Sequence, residues 1–441
     1  MPYVNLPGSV SLWYELHPPS DANTSKPSLL LLAPTFMDST FLDPYVEQFK
    51  DDYSICTLEL RSCGRSRNPV TADYDFTVSA ADIALTMEAL HLPPSHIFGA
   101  GCECFQAALK LALLFPEHVL SLSLAGSPTL FAVPTNVAAF EEIDEAWAWP
   151  SDTDYWVEAM GGIGEFVLGQ KTYPNWPEIW DRVLPSFVRR LNPYRARHIW
   201  IHSEPNHRHP RLTPDLLATI KQPVLIIHGD NDTCYAVNEV QEQTKFFRGA
   251  KEVRCHIIQD GPHLLAISHA PAVIAHMQAF LSRNIADKPG FLPFDMHRAL
   301  NTAASMLGNP KIALRNPRNP NSFSLVTPEE LVAGQTRLDL MLRQEVECDV
   351  PLPMVHEKND WEEGADQQRR WTWSTREEYS QRFVPRPSST LSLKNGIAVD
   401  VEELESSAAR SPLNGLLTVD ENGDLPPPVP SKVTVGRKDS A

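Results

Sequence analysis

Short apolar runs and longer segments of helical periodicity alternate along the first 126 residues. "VSLWYEL" (10–16), "SLLLLA" (28–33), "YSICTLEL" (53–60), "HIFGA" (96–100) and "VLSLSLAG" (119–126) read as strands. The second is apolar at nearly every position, as a strand covered on both faces should be. Between them, "TVSAADIALTMEALHL" (77–92) and "CFQAALKLALLF" (104–115) read as helices, the latter stopped by Pro116. Strand-helix alternation of this kind predicts a parallel, doubly wound α/β sheet.

From about residue 127 the pattern changes. Six of the ten tryptophans fall between Trp147 and Trp200, among helical pieces such as "AFEEIDEAWAW". The β/α rhythm resumes at "QPVLIIHGDNDT" and "VRCHIIQDGPHLL" and closes with the helix "APAVIAHMQAFLSR". The expected organisation is a core in two parts, 1–126 and 221–288, interrupted by a helical cap at 127–220. Residues 289–385 are expected to be a linker with short helices, because "NPKIALRNPRNPNS" is rich in Asn, Pro and Arg. One such helix starts at Thr327, with Pro328 at its first position and Glu330 completing a capping box; Ser374 and Glu377 repeat that start. Residues 386–441, rich in Ser, Pro and acidic groups, read as a disordered tail whose "PPPVP" is a candidate contact for a protein partner.

Composition narrows the function classes. With 42% hydrophobic and 9% aromatic residues in 441, a large core is available. A formal net charge of −17 argues against a nucleic-acid partner or an anionic membrane surface, which need clustered Lys and Arg. No apolar run reaches the roughly 18 residues of a membrane span, and the first residues lack a signal-peptide pattern. The seven cysteines, several inside strand segments, suit reduced, buried thiols, so a cytoplasmic location is expected.

Four stretches in this order carry a family resemblance: "LLLLAPTFMDSTFLDPYVEQF", "CTLELRSCGRS", the turn into the helix ending "ALLFPEHV", and "VLIIHGDNDT" with "DGPHLL". Together they resemble the cap-bearing branch of the α/β-hydrolase superfamily. The family's His-Gly after the first strand is here Ala33-Pro34, the glycine after Arg61 is Ser62, and the nucleophile elbow reads Ala100-Gly101-Cys102-Glu103-Cys104. The resemblance implies an elbow nucleophile, then an acid, then a histidine, with no cofactor and no metal.

Register places the nucleophile at Cys102. The elbow puts its central residue in a strained conformation and wants small residues two before and two after. Centring on 102 gives Ala100 and Cys104; centring on 101 gives Glu103 and no nucleophilic atom; centring on 104 gives Gln106. A thiol at a helix N-terminus is favoured as thiolate. The partners implied by the family order are Asp232, with Asp230 as the substitute, and His263. Oxyanion donors would be the backbone N–H of Glu103 and that of Thr35 or Phe36, each worth about 3 kcal/mol of barrier. The Glu103 carboxylate would either oppose a developing oxyanion or turn toward the cap and meet a cation.

Plainer readings stand beside these. Cys102 could be inert packing in a drifted elbow, His263 an ordinary loop histidine, Asp232 a turn cap, and the tryptophan-rich cap simple core. Cys102 and Cys104 as a metal pair lack an accompanying His or Cys cluster. The expectation is a hydrolase acting on an ester, lactone or thioester of a small, largely apolar molecule, with acyl transfer equally compatible. The rival is a catalytically silent member that binds a ligand or partner.

Overall fold

A computed structural model describes residues 2–18, 26–128, 130, 134–169, 178–180, 182–183, 187, 191–208, 211–284 and 290–350. The helix start at Ser374 and the tail 386–441 lie outside the described residues. Among the described residues eight strands form one sheet: β1 Tyr3–Leu6, β2 Val10–His17, β3 Ser28–Leu32, β4 Ser54–Leu58, β5 Ser95–Ala100, β6 Val119–Ala125, β7 Val224–Gly229 and β8 Val253–Ile258, in the order β1-β2-β4-β3-β5-β6-β7-β8. The first two pairings are antiparallel and every later one is parallel. This is the mostly parallel, doubly wound sheet expected. β1 was not legible as a strand: "YVNL" is four residues long and pairs only with β2 at the sheet edge.

Strand composition follows position. β3, between β4 and β5, is buried at all five residues, whereas β2, on the antiparallel side, keeps a partly exposed alternation. From β3 the chain steps outward to β4 and then crosses back to β5 on the other side. The loops leaving β3 and β5 therefore diverge at the strands' C-terminal ends, where open α/β sheets place their ligand crevice.

Helix α1 spans Asp43–Phe49, α2 (Phe76–Ala89) packs on β1 and α3 (Gly101–Leu114) on β5 and β6. One apolar cluster joins α1 to the sheet through Tyr45, Phe49, Phe98, Leu225 and Ile227. Asp75 caps α2, its Oδ1 accepting from the N–H groups of Thr77 (2.8 Å) and Val78 (3.0 Å). Arg61, in the loop after β4, clamps Asp82 of α2 through two bonds of 2.7 and 2.9 Å, with both side chains buried.

The cap's longer described helices are α4 (Pro134–Ala148), α5 (Thr153–Leu168) and α6 (Ala196–Arg208). The core resumes with α7 (Val237–Thr244) and α8 (Ala270–Leu281). Residues 290–350, read as linker, pack closely against the rest: α9 (Met296–Leu307) lies on α3, the turn Pro320–Phe323 on α2, and α10 (Pro328–Glu347) on α6. The strap has its own buried anchors, with Ile312, Phe323 and Leu325 fully buried and Phe294 stacked on His118. It covers the outer side of α2, which explains why that helix is buried over most of its circumference. Leu325 N–H donates to the second oxygen of the Asp75 cap (2.7 Å). The capping box of Thr327 and Glu330 opens α10 as read. Cap and strap are joined by Arg197 and Glu345 (2.8 Å), by Arg211 and Glu330, and by Tyr194 Oη donating to the Val350 carbonyl (2.8 Å).

Candidate active site

β5 ends at Ala100 and α3 begins at once, so the turn between them is as tight as an elbow requires. The left-handed residue is Gly101, with φ +76, and not Cys102 as the side-chain register implied. The reason is physical. A left-handed φ costs a residue bearing a β-carbon about 1–2 kcal/mol, and a Cβ at 101 would also sit 2.9 Å from both Leu264 Cδ2 and Thr35 Oγ1. The glycine takes the bend, and Cys102 follows in the first turn of α3.

From that position Cys102 still reaches the imidazole. Its Sγ lies 3.3 Å from His263 Nε2, and His263 Nδ1 lies 2.9 Å from Asp232 Oδ2. Asp230 does not share this role; its Oδ1 accepts the Asp260 N–H at 2.6 Å. The other Asp232 oxygen accepts from the N–H groups of Cys234 (2.8 Å) and Tyr235 (3.1 Å). Burial would raise the Asp232 carboxyl, but the His263 and His228 rings beside it hold it below its ordinary range. Burial likewise works against an imidazolium at His263, yet the Asp232 carboxylate and the Cys102 sulfur outweigh it and hold the ring well above its ordinary value. Cys102 is 6% exposed and His263 5%, so the pair is shielded but not sealed.

Two neighbours escaped the sequence reading. His228 stands 3.6 Å from Asp232 Oδ2 through Nδ1 and 2.9 Å from the Tyr235 carbonyl through Nε2. Tyr235 places its phenol 3.4 Å from Cys102 Sγ. The only signal was their closeness to Asp232 in "HGDNDTCY", which does not say where either ring points.

Two of the three expected oxyanion donors are engaged within the protein. Thr35 N–H donates to the Ala100 carbonyl (3.4 Å), while Thr35 Oγ1 accepts the Glu103 N–H (3.3 Å). Phe36 adopts a left-handed φ of +71, and its N–H is among the groups that favour an ionised Cys63. The Glu103 carboxylate, the awkward charge beside the nucleophile, turns away from it. Tyr74 Oη donates to Oε1 (2.7 Å), and His202 Nδ1 of the cap helix α6 lies 2.8 Å from Oε2. The Glu103 carboxylate thus turns toward the cap and meets a residue of this chain.

Cys63, Glu103 and His202 offer metal-ligand atoms within 4.8 Å of one another, as do Asp232, Cys234 and His263. Cys104 points away from Cys102, its Sγ donating to the Ala33 carbonyl (3.0 Å). Burial pushes up the thiols of Cys63, Cys104 and Cys234, with the Glu103 or Asp232 charge adding to it, and burial alone takes Cys56 to about 12.

A narrow cavity under the cap, with room for about one water molecule, is lined mainly by apolar side chains, among them Phe36, Trp147, Phe166 and Val167. Two of its lining residues connect to the site through the chain. Phe36 follows Thr35, and the Val167 carbonyl accepts the N–H of Leu264, next to His263, at 2.7 Å. Its polar lining is Asp144 and Ser203, hydrogen-bonded to each other.

Fold and site together define a hydrolase-type scaffold in which Gly101 holds the elbow's left-handed position and the next residue, Cys102, places its sulfur beside His263. The family profile described as alpha/beta hydrolase fold matches residues 29–270, more than half of the chain, and the protein belongs to that family. No curated protein matches the sequence. Among solved structures, a thermophilic esterase from Thermogutta terrifontis is similar at 17% identity and TM-score 0.54, over 64% of this chain and 98% of that one. An enol-lactonase from Burkholderia xenovorans LB400 is similar at 16% identity and TM-score 0.54, over 64% and 100%. Est816, described as an N-acyl homoserine lactone degrading enzyme, aligns at 21% identity and TM-score 0.51, over 63% and 100%. Identities this low speak to the fold. Among the described residues no helix is long and apolar enough to cross a membrane.

Proposed function

We propose that this protein hydrolyses an ester, lactone or thioester of a small, largely apolar molecule, using Cys102 as nucleophile, His263 as base and then acid, and Asp232 to orient the ring. The supporting observation is the unbroken relay Sγ–Nε2–Nδ1–Oδ2, with spacings of 3.3 and 2.9 Å. The thiolate sulfur bonds to the carbonyl carbon while the π pair moves to oxygen. Collapse breaks the bond to the leaving alcohol or thiol, which takes the proton from His263. Water then adds to the thioester, its proton passing to His263, and releases the acid; an alcohol or amine in place of water gives acyl transfer. The Glu103 N–H is a candidate oxyanion donor if Thr35 Oγ1 releases it. Residues 127–220 act as the cap that supplies the apolar lining.

Whole-protein mass spectrometry after exposure to p-nitrophenyl acetate tests this. The expected product is a single acetyl group on Cys102, lost in His263→Ala, with the buried thiols unmodified and the partly exposed Cys348 as the internal comparison. An adduct that forms at Cys102 no faster than at Cys348 refutes the reading. The second reading, a fold that binds without turnover, is favoured by one specific feature: Gly101, without a side chain, holds the elbow's left-handed position while Thr35 occupies the Glu103 amide.

A further inference from the structure

An oxyanion needs two or more donors in a shielded site, and the backbone supplies few here. Thr35 N–H is bound to the Ala100 carbonyl, and the Glu103 N–H is bound to Thr35 Oγ1. Among the described residues, a polar hydrogen not supplied by the backbone lies beside the sulfur, on the Tyr235 hydroxyl.

We propose that Tyr235 is a catalytic residue whose phenolic O–H, 3.4 Å from Cys102 Sγ, donates to the oxyanion formed when the sulfur adds to a substrate carbonyl. This rests on the reading of Cys102 as nucleophile. The geometry is built rather than incidental. Tyr235 N–H is held by Asp232 Oδ1 (3.1 Å), and its carbonyl lies 2.9 Å from His228 Nε2. One carboxylate therefore positions both the imidazole, through Oδ2, and the phenol, through the backbone at 235. The Tyr235 ring stands 5.5 Å from the His263 ring at an angle of 53°, and the sulfur contacts both, at 3.4 Å from Oη and 3.3 Å from Nε2. From the cap, Asn136 donates to the Cys234 carbonyl, fixing the peptide that carries the tyrosine. Burial, with the charges of Cys102 and Cys234, pushes the phenol well above its ordinary value, so it keeps its proton and serves as a donor without transferring it. The oxygen of a tetrahedral adduct is bonded to the carbon that sulfur attacks, which puts it within reach of a hydroxyl already in contact with that sulfur. Removing a donor of this kind costs roughly 100- to 1,000-fold in rate.

The test is Tyr235→Phe in the full chain, which deletes one oxygen and keeps the ring. Two reactions at the same sulfur are compared. Acylation by p-nitrophenyl acetate, read as the p-nitrophenol burst, passes through an oxyanion; alkylation by iodoacetamide, read by peptide mass spectrometry, does not. Acylation should fall about 100-fold while alkylation of Cys102 stays within about threefold of wild type, a result that also reports an intact site. Acylation within about threefold of wild type overturns the proposal, because the hydroxyl is then packing alone. Equal losses in both reactions also overturn it, since the phenol then serves the thiolate. A wild-type chain that forms no acyl-Cys102 refutes the underlying nucleophile reading, which is a separate failure.

Discussion

Gly126 offers the sharpest structural test of how the histidine is placed. It directly follows β6 with φ +68, and a Cβ built there would lie 2.3 Å from the His263 carbonyl oxygen. Ordinary contact needs roughly 1 Å more, so Gly126→Ala forces the His263 backbone outward by about that distance. Two costs follow. A left-handed alanine loses about 1–2 kcal/mol, and the overpacking adds about 1–3 kcal/mol. Displacing a catalytic group by 1 Å costs about 100-fold in rate. Gly308→Ala is the matched control, since Gly308 has φ +67 but no atom within 4 Å of the added methyl. Thermal melts followed by circular dichroism, together with the p-nitrophenyl acetate burst, should show both variants destabilised and only Gly126→Ala slowed. A Gly126→Ala protein that is folded and acylated within about threefold of Gly308→Ala would refute the idea that this contact sets the imidazole.

Two further outcomes follow from buried charges. Asp82→Ala leaves the Arg61 guanidinium unpaired in the interior and should cost about 3–5 kcal/mol in denaturant unfolding; a loss under about 1 kcal/mol contradicts the clamp, being no more than an exposed pair is worth. His96, held by burial to about 4 and 2.7 Å from Ser121 Oγ, binds fewer protons folded than unfolded between that value and its ordinary one. Its contribution is complete above about pH 6.5 and is lost as pH falls toward 4, a change of about 3 kcal/mol. Glu59, raised to about 7 chiefly by burial, works in the opposite sense. The quantity to measure is therefore the difference between wild type and His96→Gln in melts from pH 7.5 to 4.5. Equal pH slopes in the two proteins would remove His96 from the account.

The parts of the fold legible in the sequence are those whose pattern is set by the sheet. Strands β3 to β7 are short, largely apolar runs because neighbours or helices cover them, and burial imposes that composition directly, whereas β8 at the sheet edge is mostly part-exposed and carries Arg254 and His256. The strap was misread because 3-10 turns such as Pro310–Leu314 and Pro320–Phe323 have no long period; their Asn and Pro residues, which read as linker, are caps and first-turn residues of those turns. At the site, residue types and chain order were enough to bring Cys102, Asp232 and His263 to notice. The position of the bend was not, because flank size is a weaker constraint than the left-handed backbone, which only Gly101 meets cheaply. Ser62 makes the same point: it replaces the glycine of the family pattern yet keeps φ +59, supported by Asn68 Oδ1 accepting its N–H (2.7 Å) and by His198 Nδ1 beside its hydroxyl (2.8 Å).

The strap also bears on the order in which the molecule is completed during synthesis. α2 and α3 leave the ribosome early, yet part of their cover is α9 and the turn at Pro320–Phe323, translated some two hundred residues later. Until that late segment arrives, a nascent chain presents bare apolar helix surface and a lid without its outer fastening, so the interval is one in which a chaperone is useful and a premature stop is costly.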